Sequence, residues 1–330
     1  RVCNDTIFAA FMGRMLITGG AGFIGSSLAK IAHQQGWDVT ILDNLSTGLQ
    51  STANELENLG IKVIIGDIRD QGLLHNSLTG FTAVVHLAAQ VSVPVSVKNP
   101  EETMEINVKG TQNVIQSCLV NNVQRLVLAS SAAVYGEADN PPLKEEDAGN
   151  VLSPYADSKW TNEQQIFDAR QQGLQATALR FFNVYGAGQR PDGAYAAVIP
   201  KFADMMAKGV APNINGDGLH TRDFVHVEDV CDAIMTLIGG EWKAEQHHVY
   251  NVATQTKITL LDLVAEINDS LAHLVSDFKP LIPTHGPERS GDIRHSLASI
   301  KRISTTLDWA PSKNFKQGIY ELVLERINLM

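Results

Sequence analysis

Short, almost wholly apolar runs recur through the first part of the chain at Met15–Thr18, Val39–Leu42, Val63–Ile65, Ala83–His86 and Leu126–Ala129. Each is too short for a core helix and too uniform for a strand with one wet face. A strand that is apolar on both sides must be covered on both sides, which parallel sheets achieve by sending a helix back after each strand. Helical patterns do fall between the runs, from Gly22 to Gln34 and from Glu101 to Asn121, with a further long one from Ser153 to Gln172. The alternation predicts an α/β fold, a doubly wound parallel sheet. Beyond Gly173 the pattern loosens. Ala176–Arg180 reads as one more strand, and loops rich in Gly and Pro follow at 186–193, 212–218 and 280–291, where specificity usually resides.

Composition narrows the partners. Apolar residues make up 44% of 330, ample for a core, and a charged fraction of 19% argues against disorder. The net charge of −10 comes with no run of Lys or Arg. An acidic surface disfavours nucleic acid and anionic membrane as main partners. No run approaches the ~20 apolar residues of a membrane span. Cys3, Cys118 and Cys231 are few, odd in number and lack a CxxC spacing, which fits a reducing, cytoplasmic setting. His247-His248 has no ligand-spaced carboxylate or thiol beside it, so no metal site is expected. Residues 1–13 read as a non-native or disordered extension, with Met12 the natural start.

The first run leads directly into Gly19-x-x-Gly22-x-x-Gly25, and the loop opens the first helix. Glycines there permit a tight turn and let backbone N–H groups and the helix N-terminus approach a pyrophosphate. Asp43 ends the second run, where a carboxylate accepts the ribose hydroxyls of a dinucleotide. No Lys or Arg lies between Asp43 and Ile61 to receive a 2′-phosphate, so NAD is expected rather than NADP. Asp67 and Ile68, after the third run, are placed to meet adenine.

Tyr155 and Lys159 are four residues apart in a helical stretch and so share a face. A free phenol titrates near pKa ~10 and is a poor base at neutral pH. Lowering it by three units takes about 4 kcal/mol. One cation about 4 Å away supplies that much at an effective dielectric near 20. The spacing therefore predicts a general base tuned by Lys159.

Taken together, the stretches GGAGFIGSSL, LDNLSTG, GDIRD, HLAAQ, NVKGT, SSAAVYG, SPYADSKW, RFFNVYG, NGDGLHTRDFVHVEDV and RSGDIRHS resemble, in order, those of the nucleotide-sugar epimerases of the extended short-chain dehydrogenase/reductase family. The likeness runs from about Arg14 to Leu324. It is nearest to bacterial UDP-N-acetylglucosamine 4-epimerases, which share YAAVIPKF, residues 195–202 here. The resemblance implies a Rossmann-type NAD-binding domain over 14–180. It implies a smaller C-terminal α/β lobe over 181–330 for the nucleotide sugar, with some chain returning to the first domain. It extends the cofactor contacts to Phe23, Ile24, Asn44, Ser46, Thr47, Gly48, Leu87, Ala88, Ala89 and Asn107. Ser131 matches the family's catalytic serine beside Tyr155 and Lys159, whose lysine also holds the nicotinamide ribose. Asn183, Arg222 and Arg289 would face a UDP diphosphate and Asp292 the uridine ribose, with Ala197, Val198, Ser92 and Ser296 also at the substrate. A homodimer is implied, formed by two long helices of each subunit.

Two departures bear on the reaction. The 4,6-dehydratases carry Asp-Glu directly after the catalytic serine or threonine, and nucleotide-sugar decarboxylases usually carry a glutamate at the second position. Here Ala132 and Ala133 stand there, which argues against elimination and decarboxylation. Ser296 stands where strict UDP-glucose 4-epimerases often have a bulky tyrosine, leaving room for a 2-N-acetyl group. UDP-glucose, a UDP-uronic acid, or a non-catalytic NAD sensor on the same fold are the alternatives. A bland reading remains for several residues: Cys118, Met104 and Trp160 as core, Ser92 as a turn serine, Arg222 and Arg289 as partners of Asp223 or Glu288, and Glu145-Glu146-Asp147 as a solvated loop.

Overall fold

The apolar runs pair side by side. The structure is a computed structural model and describes residues 13–137, 140–192, 197–243, 246–288 and 294–330. Of the expected extension only Gly13 is described, and Arg289 and Asp292 lie outside the described residues. Seven strands form one sheet: β1 (Arg14–Thr18), β2 (Asp38–Asp43), β3 (Lys62–Ile65), β4 (Ala83–His86), β5 (Arg125–Ser131), β6 (Gln175–Phe181) and β7 (Val249–Val252). Every pairing is parallel, in the order β7-β6-β5-β4-β1-β2-β3. This is the doubly wound, Rossmann-type arrangement, and its strand order reverses between β1 and β4.

Alternate residues of each strand enter opposite cores. Met15 and Ile17 join Leu28, Ile41 and Ile234 on one face, whereas Leu16 joins Val84, Val114 and Ile166 on the other. Helix α1 (Phe23–Gln34) covers the first face, and α2 (Gly110–Val120) and α3 (Pro154–Gln171) cover the second. The helix expected from Glu101 to Asn121 is not uniform. Pro100–Met104 and α2 are joined by a π-helical turn, Glu105–Lys109, that includes Asn107.

The chain leaves the sheet after β6 and builds a separate core of Ile199, Phe202, Phe224, Leu263, Ile267 and Leu322. Before that lobe is complete, Val227–Gly239 packs against the α1 face and β7 joins the sheet edge beside β6. The second lobe is thus threaded through the first.

Candidate active site

A cavity of about 620 Å³ opens at the C-terminal ends of β1 and β4, the point where the strand order reverses. Its β1 side is the glycine loop. Gly19 has φ of +70°, and a Cβ there would lie 2.7 Å from the Ala88 nitrogen. A Cβ on Gly25 would lie 2.2 Å from the Gly19 carbonyl oxygen, so backbone touches backbone across this turn. No side chain caps the N-terminus of α1, and Gly22, Phe23, Ile24 and Gly25 line the cavity there. First-turn N–H groups with no helical partner carry partial positive charge. That donor set fits a pyrophosphate.

At the end of β2, Asp43 is nearly buried, accepting from the Ala21 nitrogen at 2.9 Å and the Leu45 nitrogen at 2.8 Å. Asn44, Ser46 and Thr47 continue this wall. Gly48 does not line it. It packs beneath, where a Cβ would meet Ala21 and the Asp43 carboxylate at 2.9–3.1 Å. Asp67 lines the cavity with Ile68, but Arg69 grips its carboxylate at 2.9 and 2.8 Å and Asn44 adds a bond at 2.9 Å. Those donors hold the Asp67 carboxyl well below the usual carboxylate range. Arg69, beside this wall, is thus itself paired, and the wall fits a ribose diol.

Leu87, Ala88 and Ala89 leave β4 along the cavity floor. Beneath them His86 is fully enclosed by hydrogen bonds whose direction can be assigned. Thr111 Oγ1 donates to the Asn107 carbonyl at 2.6 Å, so it must accept from His86 Nε2 at 2.9 Å. His86 Nδ1 then accepts from Thr18 Oγ1 at 2.6 Å, and Thr18 Oγ1 accepts the Ala88 N–H at 3.3 Å. Burial depresses His86 to about 3, and the Lys159 charge adds to this, so the ring is neutral. Asn107, expected to touch cofactor, lies off the cavity wall. Its amide is committed to both backbone groups of Gln90 at 2.8 and 2.9 Å and to Ser158 at 2.9 Å. It braces the floor against the helix that carries Tyr155.

The residues expected to do the acid/base chemistry meet at the other end. Ser131 is the last residue of β5, and its Oγ accepts from the Ala133 nitrogen at 3.1 Å as the chain turns. Ser153 caps α3 through the Ala156 nitrogen, and Pro154 occupies its first turn. Tyr155 and Lys159 follow on the inner face, and with Ser131 both line the cavity. The Tyr155 phenol is pushed above its ordinary 10.0 by burial, opposed by a hydrogen bond with Ser131. This corrects the spacing argument, which expects Lys159 to pull the phenol down. The Lys159 ammonium instead donates to the Ala129 carbonyl at 2.8 Å, and burial lowers its own pKa to about 8 against the pull of Glu163. At this depth the cost of losing water exceeds the attraction between neighbours.

The other residues expected at the substrate are, apart from Ser92, spread over the second lobe. Ser92 lines the cavity and also caps Val93–Lys98 by accepting from the Val95 nitrogen. This serine is thus a turn residue that also stands on the cavity wall. Asn183 is exposed on a short strand paired with Phe224–His226. Ala197 and Val198 form the start of a helix, Val198–Ala207, that has no side-chain cap. Arg222 donates to the Thr221 carbonyl at 3.0 Å. Asp223 is taken up by Thr254, Gln255 and Ala298, and Glu288 lies 3.5 Å from Arg294. Ser296 is half-buried, its nitrogen bonded to the Thr221 carbonyl at 3.1 Å. Gln90, Val91, Val95, Phe182 and Val184 also line the cavity. No spacing singles out the four apolar ones, because an apolar wall residue looks like core in sequence.

Three bland readings are settled by packing. Cys118 is fully buried, and Trp160 packs beside Val134 and Tyr135. Glu145 is not solvated: it is buried, accepting the Asn251 N–H at 3.0 Å and facing Arg302 at 3.4 Å. His247 packs on Tyr250 and His248 on Phe167.

The sequence pattern of the NAD dependent epimerase/dehydratase family matches residues 15–253. The chain belongs to this family. Its cofactor is NAD, and the cradle above is built for it. Among family relatives, the UDP-glucose 4-epimerase of Mycolicibacterium smegmatis is 34% identical over 319 residues, covering 94% of this chain and 97% of that protein. Among solved structures, the UDP-N-acetylglucosamine 4-epimerase of Methanobrevibacter ruminantium, in complex with UDP-N-acetylmuramic acid, superposes with a TM-score of 0.89 at 34% identity. That match covers 97% of this chain and all of that one. The UDP-glucose 4-epimerase of Thermus thermophilus in complex with NAD gives 0.82 at 31% identity, covering 95% and 98%. No helix among the described residues is long and apolar enough to cross a membrane.

Proposed function

We propose that this epimerase-family chain inverts C4 of a UDP-linked hexose, and that its preferred pair is UDP-GlcNAc and UDP-GalNAc. One observation carries the reaction class. Ser131, Tyr155 and Lys159 converge on the cavity whose other end is the dinucleotide cradle. Among the described lining residues, the three carboxylates, Asp43, Asp67 and Glu102, belong to the cavity's β2–β3 side, where Arg69 interacts with both Asp67 and Glu102. Among the described residues that leaves Tyr155 and Ser131 as the proton-handling groups at the sugar end, as oxidation and reduction at one carbon require. Dehydration needs a further acid and base, and Ala132 and Ala133 supply neither.

Bound NAD supplies a reversible hydride acceptor and a positive ring that favours the Tyr155 phenolate. The side chains do the rest. Ser131 holds the sugar 4-hydroxyl, Tyr155 removes its proton, and Lys159 keeps a positive charge at the phenol's end of the cavity. The resulting 4-keto sugar turns about its diphosphate and presents the opposite face, and Tyr155 returns the proton. Asn183, Arg222, Arg289 and Asp292 are the proposed anchors of the UDP through this turn, with the start of the Val198–Ala207 helix. Arginine suits that work because its planar fork binds two phosphate oxygens at once.

The N-acetyl preference rests on the small side chain at Ser296 and on the likeness to the Methanobrevibacter enzyme. Plain UDP-glucose is the second reading, favoured by the likeness to the Mycolicibacterium enzyme. A uronic acid fits less well. Lys159 is the one cation among the described lining residues, and it is engaged with Ala129. NMR of the protein incubated separately with UDP-GlcNAc, UDP-glucose and UDP-glucuronate tests the order. Fastest conversion of UDP-GlcNAc is expected; faster conversion of UDP-glucose would overturn the Ser296 argument and leave the reaction class standing.

A further inference from the structure

Directly behind the acid/base wall lies a buried ion pair that the reaction does not touch. Arg180 of β6 and Glu163 of α3 are each 1% exposed. The guanidinium grips the carboxylate twice, Nε to Oε1 at 2.8 Å and Nη2 to Oε2 at 2.7 Å. Ser130 Oγ donates to the same Oε1 at 2.5 Å. The other arm of Arg180 donates to the Tyr135 hydroxyl at 2.9 Å and the Glu145 carbonyl at 2.7 Å, and Tyr135 passes on to Asn251 at 2.6 Å. Every polar arm of the pair has a partner.

Its position relative to the active site is specific. Ser130 is covalently next to Ser131. Glu163 is one helical turn beyond Lys159, on the same face of α3. Tyr135 ends the short 3-10 turn that begins right after Ser131. One carboxylate therefore reaches the serine through β5 and the lysine through α3. Stability alone does not call for such a pair, since well-packed apolar residues in place of a buried ion pair are often neutral or better.

We propose that Glu163 is a positioning residue for the epimerisation: its buried charge holds the Lys159 ammonium protonated, and its bond to Ser130 fixes Ser131 at the end of β5. This rests on the assignment of Ser131 and Lys159 to the reacting set. The titratable and charged groups facing Lys159 are Tyr155 and Glu163 on its own helix, His86 from β4 and, through Glu163, Arg180 from β6. Of these, Glu163 is the negative one, and it raises the proton affinity of a lysine that burial otherwise lowers.

The test uses full-length protein with NAD, labelled with 13C at lysine Cε, with the Lys159 signal assigned by its loss in Lys159→Arg. Titration is compared in the parent, Glu163→Gln and the double variant Glu163→Leu/Arg180→Met. In Glu163→Gln the Lys159 proton affinity should fall at least about tenfold, one pKa unit. The double variant removes both charges together, puts apolar side chains in their place, and should show a smaller fall in the same direction. Glu163→Asp, which draws the charge back by one methylene, should fall least. The alkaline limb of kcat for UDP-GlcNAc conversion should move to lower pH in the same order, with KM within about twofold. Ser130→Ala, which keeps the ion pair, should lower kcat about threefold to tenfold and leave the limb in place. A folded charge variant whose Lys159 titrates as in the parent overturns the proposal, and the pair is then scaffold only. The titration needs no turnover, so it decides this point even if the parent converts no UDP-sugar, a result that would sink the epimerase reading instead.

Discussion

Tyr155 gains or loses its proton according to two opposing influences, and burial is the larger. A phenol raised in this way needs added positive charge to act as base near neutral pH. Tyr155→Phe keeps the ring and removes the proton-transferring oxygen, so kcat should fall about 10²–10⁴-fold. NAD affinity, read by fluorescence titration, should stay within about threefold; full conversion by the variant would remove Tyr155 from the mechanism. Lys159 makes a separate prediction about stability. The folded chain releases this proton at about 8, the unfolded chain near 10.5. Below about 8 the ammonium is buried at full cost. Between those values unfolding takes up a proton, so this site's contribution to stability rises with pH. Lys159→Met should therefore be the more stable protein at pH 7, by up to about 3 kcal/mol at 1.36 kcal/mol per pKa unit. Urea unfolding should show that advantage shrinking as pH rises from 8 to 10.5. A gap independent of pH would mean that the ammonium is not desolvated.

At the scale of single elements, the glycine loop is the most exacting. Gly25→Ala places a methyl 2.2 Å from the Gly19 carbonyl, backbone against backbone, so the loop must open. NAD binding measured by calorimetry should weaken at least about tenfold, 1.4 kcal/mol, while Gly239→Ala, at a position of ordinary φ where a Cβ meets nothing within 4 Å, should leave it unchanged. Equal affinities would show that the turn can relax. This loop, Asp43 and the Tyr155–Lys159 face were legible in the sequence because each couples a residue type to a fixed local spacing. What the sequence hides depends on contacts between distant segments. Asn107 falls in a motif, yet its role as brace follows from a π-helical turn that local spacing does not announce. Glu145 stands in an acidic run that looks solvated and is buried because Asn251 and Arg302 come to it from the far end of the chain. The i, i+4 spacing sets Lys159 on the face of Tyr155 but does not foretell that burial, which the whole fold sets, is the larger influence on the phenol.

Across the whole molecule, a parallel sheet covered on both faces follows from apolar runs that alternate with helices, whereas the order of its strands is seen only in the fold. So is the threading of the second lobe. β7 and the helix Val227–Gly239 return to the first domain from within a region whose loops obscure the pattern. We propose a homodimer built on α2 and α3, whose neighbourhood exposes Val97, Val120 and Phe167. Sedimentation at micromolar concentration should give twice the chain mass, and a monomer alone would contradict this. The central claim is that C4 is oxidised and reduced within one bound sugar. It is tested most directly by incubating the protein in ordinary water with UDP-GlcNAc carrying deuterium at C4 and following the label by NMR. The account predicts UDP-GalNAc that retains deuterium at C4, returned to the opposite face. Epimer formed with the label washed out to solvent would mean proton exchange at C4, and would contradict it.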